Sequence, residues 1–259
     1  MGGKNPAIVR PDADVERAAE GLVRGCFANA GQLCLSIERI YVHESIRARF
    51  LDAFVDATES MRLGVGPAFD VEMGSLSSGS HLSKVERHVE EAKREGATAV
   101  TGGRTRPDIG PYVYEPTVLT GVDESATLHD EETFGPVVSV YGYTDDDEAI
   151  RRANDTEYGL NASIWTDDAE RGRELAARIE AGTVNINESY AAAWASMDAP
   201  MGGMGDSGIG RRHGEEGLLR FTESQTVATQ RGPQFAAPKG MPYRLYAKLL
   251  DATTALQRR

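Results

Sequence analysis

The sequence predicts an α/β fold with a largely parallel sheet flanked by helices. Two observations carry that expectation. Short apolar runs of strand length alternate along the chain with segments whose apolar residues recur at helical spacing. The totals suit a globular core: 259 residues, 40% hydrophobic and 26% charged.

Ala7-Ile8-Val9, after Pro6, reads as a short buried strand. Asp12 or Asp14 can cap the next helix. Its stripe is Val15, Ala18, Ala19, Leu22, Val23, Cys26 and Phe27. Ile37 to Val42 is a strand. Ile46, Phe50, Leu51, Phe54 and Val55 share one face of a second helix, and Gly64 to Pro67 breaks the chain. Leu82, Val85, Val89 and Ala92 mark a third helix. Ala97 to Thr101 is a strand closed by Gly102-Gly103, and Pro107 to Pro116 is a loop. Val118-Leu119 is expected as an edge strand and Pro136 to Tyr141 as a buried one.

Thr144 to Asp147 has capping-box spacing and opens a helix to about Ala153. Ala162 to Thr166 is a strand, Asp168 to Ala181 a helix, Thr183 to Asn187 a strand. Ala199 to Gly214 is Gly-rich and irregular. Thr222 to Thr229 reads as a last strand and Gln230 to Pro242 as a linker. Tyr243 to Leu256 is a helix with Leu245, Leu249 and Leu256 on one side.

The net charge of −12 argues against nucleic acid and against an anionic membrane surface as partners. Two cysteines, eight residues apart, offer no disulfide framework and suit a reducing compartment. No apolar run is long enough to span a bilayer and no charged-then-apolar leader is seen, so the cytoplasm is the expected location. The five histidines lack metal-ligand spacing and read as structural or exposed. Gly203 to Gly208 spells G-x-G-x-x-G, but no strand runs into it and no capped helix follows, so it is not read as a dinucleotide fingerprint.

One stretch suits a nucleophile: Asn29-Ala30-Gly31-Gln32-Leu33-Cys34. Cys26 falls on the helix stripe and reads as a small buried hydrophobe. Cys34 falls after the helix, on a Gly-containing connection where a thiol can be exposed and aimed; the plainer alternative is an inert loop cysteine.

This stretch resembles the nucleophile motif of the aldehyde dehydrogenase superfamily. Three further matches follow the family's order: Met1-Gly2-Gly3-Lys4-Asn5-Pro6, Glu131-Glu132-Thr133-Phe134-Gly135-Pro136, and Pro200-Met201-Gly202-Gly203 continuing to Ser207-Gly208-Ile209-Gly210-Arg211. The resemblance implies a catalytic domain over residues 1–210 and an oligomerisation segment over 211–230 whose strand pairs with a neighbouring subunit; the basic tail over 231–259 lies outside it. It implies a homo-oligomer, a small aldehyde substrate, and NAD or NADP as cofactor. Cys34 would be the nucleophile, forming a thiohemiacetal and then a thioester. Its backbone N–H would supply one oxyanion donor. Glu132 would bond the nicotinamide ribose with Phe134 packed nearby, and Lys84 matches a weaker ribose-contacting position. An exposed helix Lys and a surface Glu before a core Phe are the plainer alternatives.

In the family the motif at Gly2-Gly3-Lys4 follows a Glu-Leu pair whose Glu is the general base. Met1 stands at the Leu position, so the chain is expected to be the C-terminal half, lacking that Glu and the cofactor domain and inactive alone. Asn187 to Ser196 and Met201 to Met204, with Asp206-Ser207-Gly208 and Arg211 to Gly214, resemble a bacterial branch named for succinate semialdehyde. Ala28 departs from the better-known enzymes of that specificity, which carry an Arg there for the substrate carboxylate. Three rivals stand beside this expectation: a non-catalytic remnant, a dehydrogenase of other specificity, and a cysteine esterase.

Overall fold

Five of the sheet's strands are buried almost from end to end because both faces of a parallel sheet are covered. In chain order the strands are β1 (Asn5–Val9), β2 (Ile37–His43), β3 (Thr98–Thr101), β4 (Thr117–Thr120), β5 (Val137–Tyr143), β6 (Tyr158–Gly159), β7 (Asn161–Trp165), β8 (Thr183–Ile186) and β9 (Met204–Gly205). These come from a computed structural model that describes residues 2–67, 70–231 and 236–257. The main sheet runs β3-β4-β5-β2-β1-β7-β8; β3 is antiparallel to β4 and every other neighbour is parallel. β6 and β9 form a separate antiparallel pair.

The helices are α1 (Val15–Phe27), α2 (Arg47–Glu59), α3 (Gly79–Arg94), α4 (Thr127–Asp130), α5 (Asp146–Asn154), α6 (Ala169–Ala176), α7 (Ala191–Ala195), α8 (Gly214–Leu219) and α9 (Tyr243–Gln257). Asp14 caps α1 by accepting from the Arg17 amide at 3.1 Å. The whole predicted stripe of α1 is buried, Cys26 included. α1 packs on α2 through stacked Phe27 and Phe54 rings, 6.2 Å apart.

The chain divides into two compact units, residues 1–221 and 222–259. The first holds the sheet. In the second, α9 forms as expected, and the side chain of Leu256 lies outside the described residues, as do Met1 and residues 232–235 of the predicted linker. No described helix is long and apolar enough to cross a membrane.

Several sequence expectations need correction. Val118-Leu119 is not at the edge: β4 is covered by β3, whose own residues are only partly buried. Residues 222–229 form no strand in this chain, since a strand needs a ladder partner and none is supplied. α6 stops at Ala176, earlier than Ala181. The cap of α5 is Asp145, one residue after Thr144; the Glu148 carboxylate reaches back to the Thr144 amide at 2.8 Å.

Candidate active site

Four segments meet where neighbouring parallel strands begin. Gly2 to Lys4 lead into β1, Cys34 to Ser36 into β2, Glu132 to Gly135 into β5, and β6 lies just before β7. Because these strands are parallel, their leaders share one edge of the sheet.

The nucleophile candidate is presented by a left-handed turn. Asn29, Ala30 and Gly31 all have positive φ, at 54°, 55° and 68°. A side chain at Gly31 would put its Cβ 2.1 Å from the Gly135 carbonyl oxygen, so glycine is required there. Gln32 pins the turn. Its amide donates to the Asn29 carbonyl (2.9 Å) and its oxygen accepts from the Ser77 amide (2.9 Å). Cys34 then sits in a tight turn closed by the Ser36 amide on the Leu33 carbonyl (2.9 Å). Its thiol is exposed, while Cys26 is buried. Burial pushes the Cys26 thiol well above its ordinary pKa, and the Glu38 charge adds to this.

Asn5 fixes the backbone beside the thiol. Its Nδ2 donates to the carbonyls of Cys34 (2.9 Å) and Ser36 (2.7 Å), and its Oδ1 accepts from the Asn161 amide (3.0 Å). Asn161 Nδ2 in turn donates to Leu35 (3.1 Å) and Ser189 (3.0 Å) carbonyls. The Cys34 N–H makes no hydrogen bond among the described residues, which leaves it free to donate elsewhere.

Glu132 stands across Gly2-Gly3 from the Cys34 backbone. Glu132 Oε1 accepts from the Gly3 amide at 2.9 Å, and its Oε2 has no hydrogen-bond donor among the described residues. A Cβ on Gly3 would come 2.8 Å from the Cys34 carbonyl oxygen, and one on Gly2 would come 2.6 Å from Glu132 Oε2. So the two glycines let both groups approach one backbone. Burial pushes the Glu132 carboxyl upward, partly opposed by the Gly3 bond. Phe134 adopts a left-handed φ of 56°.

Sequence reasoning missed what holds Phe134 in that conformation. Glu38, on β2, is buried. It accepts from the amides of Thr133 (3.0 Å) and Phe134 (2.9 Å) and from Lys4 Nζ (2.5 Å). Burial drives the Lys4 pKa down and Glu38 opposes it. The visible signal was a pair of charges, Glu38-Arg39, inside an apolar strand. Arg39 is also fully buried, its guanidinium spent on carbonyls of Lys4, Arg152, Ala153 and Asp155.

Lys84 reaches the same loop by its backbone. Its ammonium donates to the Glu132 carbonyl at 2.7 Å. His81 Nε2 lies 2.8 Å from the Phe134 carbonyl, and His88 Nδ1 lies 3.3 Å from Thr133 Oγ1. Residues 81, 84 and 88 share one face of α3, so the helix buttresses the loop as a unit. Ser207 closes the Gly-rich segment over the start of the chain, donating to the Gly2 carbonyl (2.7 Å) and accepting from the Gly159 amide (3.0 Å). Gly203 to Gly208 runs into no helix, in keeping with its rejection as a dinucleotide fingerprint. No group of three His, Cys, Asp or Glu side chains among the described residues is placed to hold a metal.

Residues 1–227 match the model of the family described as "Aldehyde dehydrogenase family". A Mycobacterium ulcerans protein with the provisional name succinate-semialdehyde dehydrogenase [NADP(+)] 2 is 53% identical over 250 residues, covering 96% of this chain and 48% of that protein. A betaine aldehyde dehydrogenase of Brucella anthropi is 40% identical, covering 90% of this chain and 48% of its own length. The crystal structure of betaine aldehyde dehydrogenase from Staphylococcus aureus in complex with NAD+ superposes with a TM-score of 0.84 at 40% identity, over 91% of this chain and 47% of that one. A point mutant of that enzyme, at TM-score 0.85 and 39% identity, holds NAD+ and a BME-modified cysteine; it is matched over 91% of this chain and 48% of its own. The chain thus spans about half the length of the curated relatives it matches.

Proposed function

The chain belongs to the aldehyde dehydrogenase family, and from that premise we propose that it carries the nucleophile side of an NAD(P)-dependent aldehyde dehydrogenase, with succinate semialdehyde as substrate. The observation that carries this is the exposed Cys34 thiol on a strained turn, with an unspent N–H of its own. The 53% identity to a relative named for succinate semialdehyde and NADP+ supports the substrate.

The Cys34 sulfur, as thiolate, bonds the aldehyde carbon, and the carbonyl oxygen gains the charge. The Cys34 N–H donates to that oxygen, worth on the order of 3 kcal/mol when well aimed. A nicotinamide held beside Glu132 and Phe134 would supply the acceptor for the hydride that leaves the carbon. What remains on Cys34 is a thioester, which water releases as the acid. Glu132 and Phe134 suit the cofactor's ribose: Oε2 is without a donor among the described residues, a carboxylate serves two vicinal hydroxyls, and Glu38 and Lys84 fix the backbone on either side. In this arrangement Lys84 acts through the Glu132 carbonyl.

The span of about half the relatives' length favours a second reading for the isolated polypeptide: it keeps the fold and turns over nothing alone. The proposal extends to a cytoplasmic homo-oligomer, with residues 222–229, exposed and without a strand in the chain, pairing with a neighbouring subunit.

The test is reduced-nicotinamide absorbance with succinate semialdehyde and NAD+ or NADP+. The chain alone is expected to give negligible turnover. Fused behind the preceding half of a mycobacterial relative it is expected to turn over, and Cys34→Ser in that fusion should lower kcat at least about a thousandfold. Turnover that survives Cys34→Ser would remove the proposed chemistry.

A further inference from the structure

The far end of the substrate needs a partner too, and one cation beside the nucleophile turn is unspent. Arg24 lies in the last turn of α1 and is exposed. Among the described residues its guanidinium makes no hydrogen bond and no ion pair, not even with Glu20 one turn earlier. Three other cations near the site are occupied, and Arg212, on the Gly-rich segment, is the rival that the test must exclude. Lys4 is held by Glu38, Lys84 by the Glu132 carbonyl, and Arg211 by the carbonyls of Gly203 and Gly210.

Geometry ties Arg24 to the Cys34 side of the sheet. The next residue, Gly25, packs so tightly on Ser189 that an added Cβ would fall 2.2 Å from its Oγ. Ser189 Oγ also donates to the Gly21 carbonyl at 3.1 Å. Asn161 then joins the Ser189 carbonyl to that of Leu35, the residue after Cys34. The end of α1, the Ser189-Tyr190 loop and the nucleophile turn therefore form one connected rim. The Arg24 charge is felt at the Tyr190 hydroxyl, whose pKa is raised by burial and by Glu188 and lowered by Arg24. Glu188 is the adverse charge nearby. Its Oε1 is shared by the amides of Ser189 (2.8 Å), Tyr190 (3.4 Å) and Ala191 (3.4 Å), which offset it.

We infer that Arg24 is the specificity-determining cation of this site, receiving the far carboxylate of an aldehyde held at Cys34, with Tyr190 beside it. This deepens the reading of Cys34 as nucleophile and rests on it. Ala28, one helical turn onward, carries no charge that could take this role.

The test compares alkylation of Cys34 by iodoacetate and by iodoacetamide in the intact 259-residue chain, read by mass spectrometry of the Cys34 peptide. The two reagents differ in charge, so their rate ratio reports the local cation. Arg24→Gln is expected to lower the iodoacetate-to-iodoacetamide ratio about threefold while leaving the iodoacetamide rate within about twofold. Arg24→Lys should keep most of the ratio, and added salt should erase the difference between wild type and Arg24→Gln. An unchanged ratio in Arg24→Gln, or an equal drop in Arg212→Gln, overturns the assignment to Arg24 and leaves the nucleophile reading standing. If iodoacetamide does not prefer Cys34 to Cys26, the nucleophile reading itself fails and takes this inference with it.

Discussion

The two ends of the sheet are built by different rules. At the carboxyl ends of β1, β5 and β7 the chain runs into helices capped by Asp14, Asp145 and Asp168. The side chains there pair in partial contact with water: Arg10 reaches Asp146 (3.3 Å) and Thr166 (3.1 Å), and His43 meets the Thr144 carbonyl (3.0 Å). At the amino ends, charges are buried outright, backbone is held in left-handed conformations, and a thiol is left bare. Ligands of open α/β sheets usually gather outside the carboxyl ends. Here the candidate site collects at the opposite edge, so the location of chemistry follows from where local strain and buried charge are placed, and the strand order alone does not give it.

Breaking the amino end should cost most. Glu38→Ala leaves the Lys4 ammonium and two amides buried without an acceptor. The expected loss is about 3–5 kcal/mol in urea unfolding. Adding Lys4→Met to Glu38→Gln should recover about half of it, since the isolated charge is then gone. A loss under about 1 kcal/mol for Glu38→Ala would mean the network does not hold the loop.

Gly31→Ala comes next. It demands φ of 68° from a residue with a Cβ and drives that Cβ against the Gly135 carbonyl. We expect a loss on the order of 2 kcal/mol, and slower alkylation of Cys34 as its turn shifts.

Arg10→Ala, at the carboxyl end, should cost about 1 kcal/mol or less, because its partners remain reachable by water. A cost matching that of Glu38→Ala would erase the contrast between the two ends.

The smallest effect is pH-linked. The Glu132 pKa is raised in the folded protein, so folding holds its proton more tightly than the unfolded chain does. The stability it contributes is present below the ordinary carboxyl range and is lost as pH rises through the folded value. Glu132→Gln should therefore raise the unfolding free energy slightly at neutral pH, by less than about 1 kcal/mol in urea unfolding, with the gain vanishing as the pH falls into the acid range. A gain that grows toward acid pH would reverse the assigned sign.

Much of the scaffold could be read along the chain because its signals are local. The stripe of α1 and its cap lie within one stretch of sequence, and the burial of Cys26 follows from that stripe alone. Cys34 was legible as exposed for the complementary reason, falling past the end of the helix. Glu38 was not legible as a clamp. Its partners lie 34 residues earlier and 95 or 96 later, and no spacing rule joins them. The left-handed pair Asn29-Ala30 was hidden as well, since alanine at φ 55° leaves no mark in composition. Val118-Leu119 was misplaced because two apolar residues do not say whether another strand, here β3, will lie beyond them.

The position of β1 has a consequence for how the domain can be assembled. It lies mid-sheet, flanked by β2 and by β7, and the carbonyl of Gly2 just before it is met by Ser207, 205 residues away. In vectorial synthesis β1 is made well before either β7 or Ser207 has left the ribosome. Closing so long a loop is slow. Through that interval an apolar strand stands with one flank unsatisfied, which makes chaperone capture of the nascent chain the natural safeguard for this architecture.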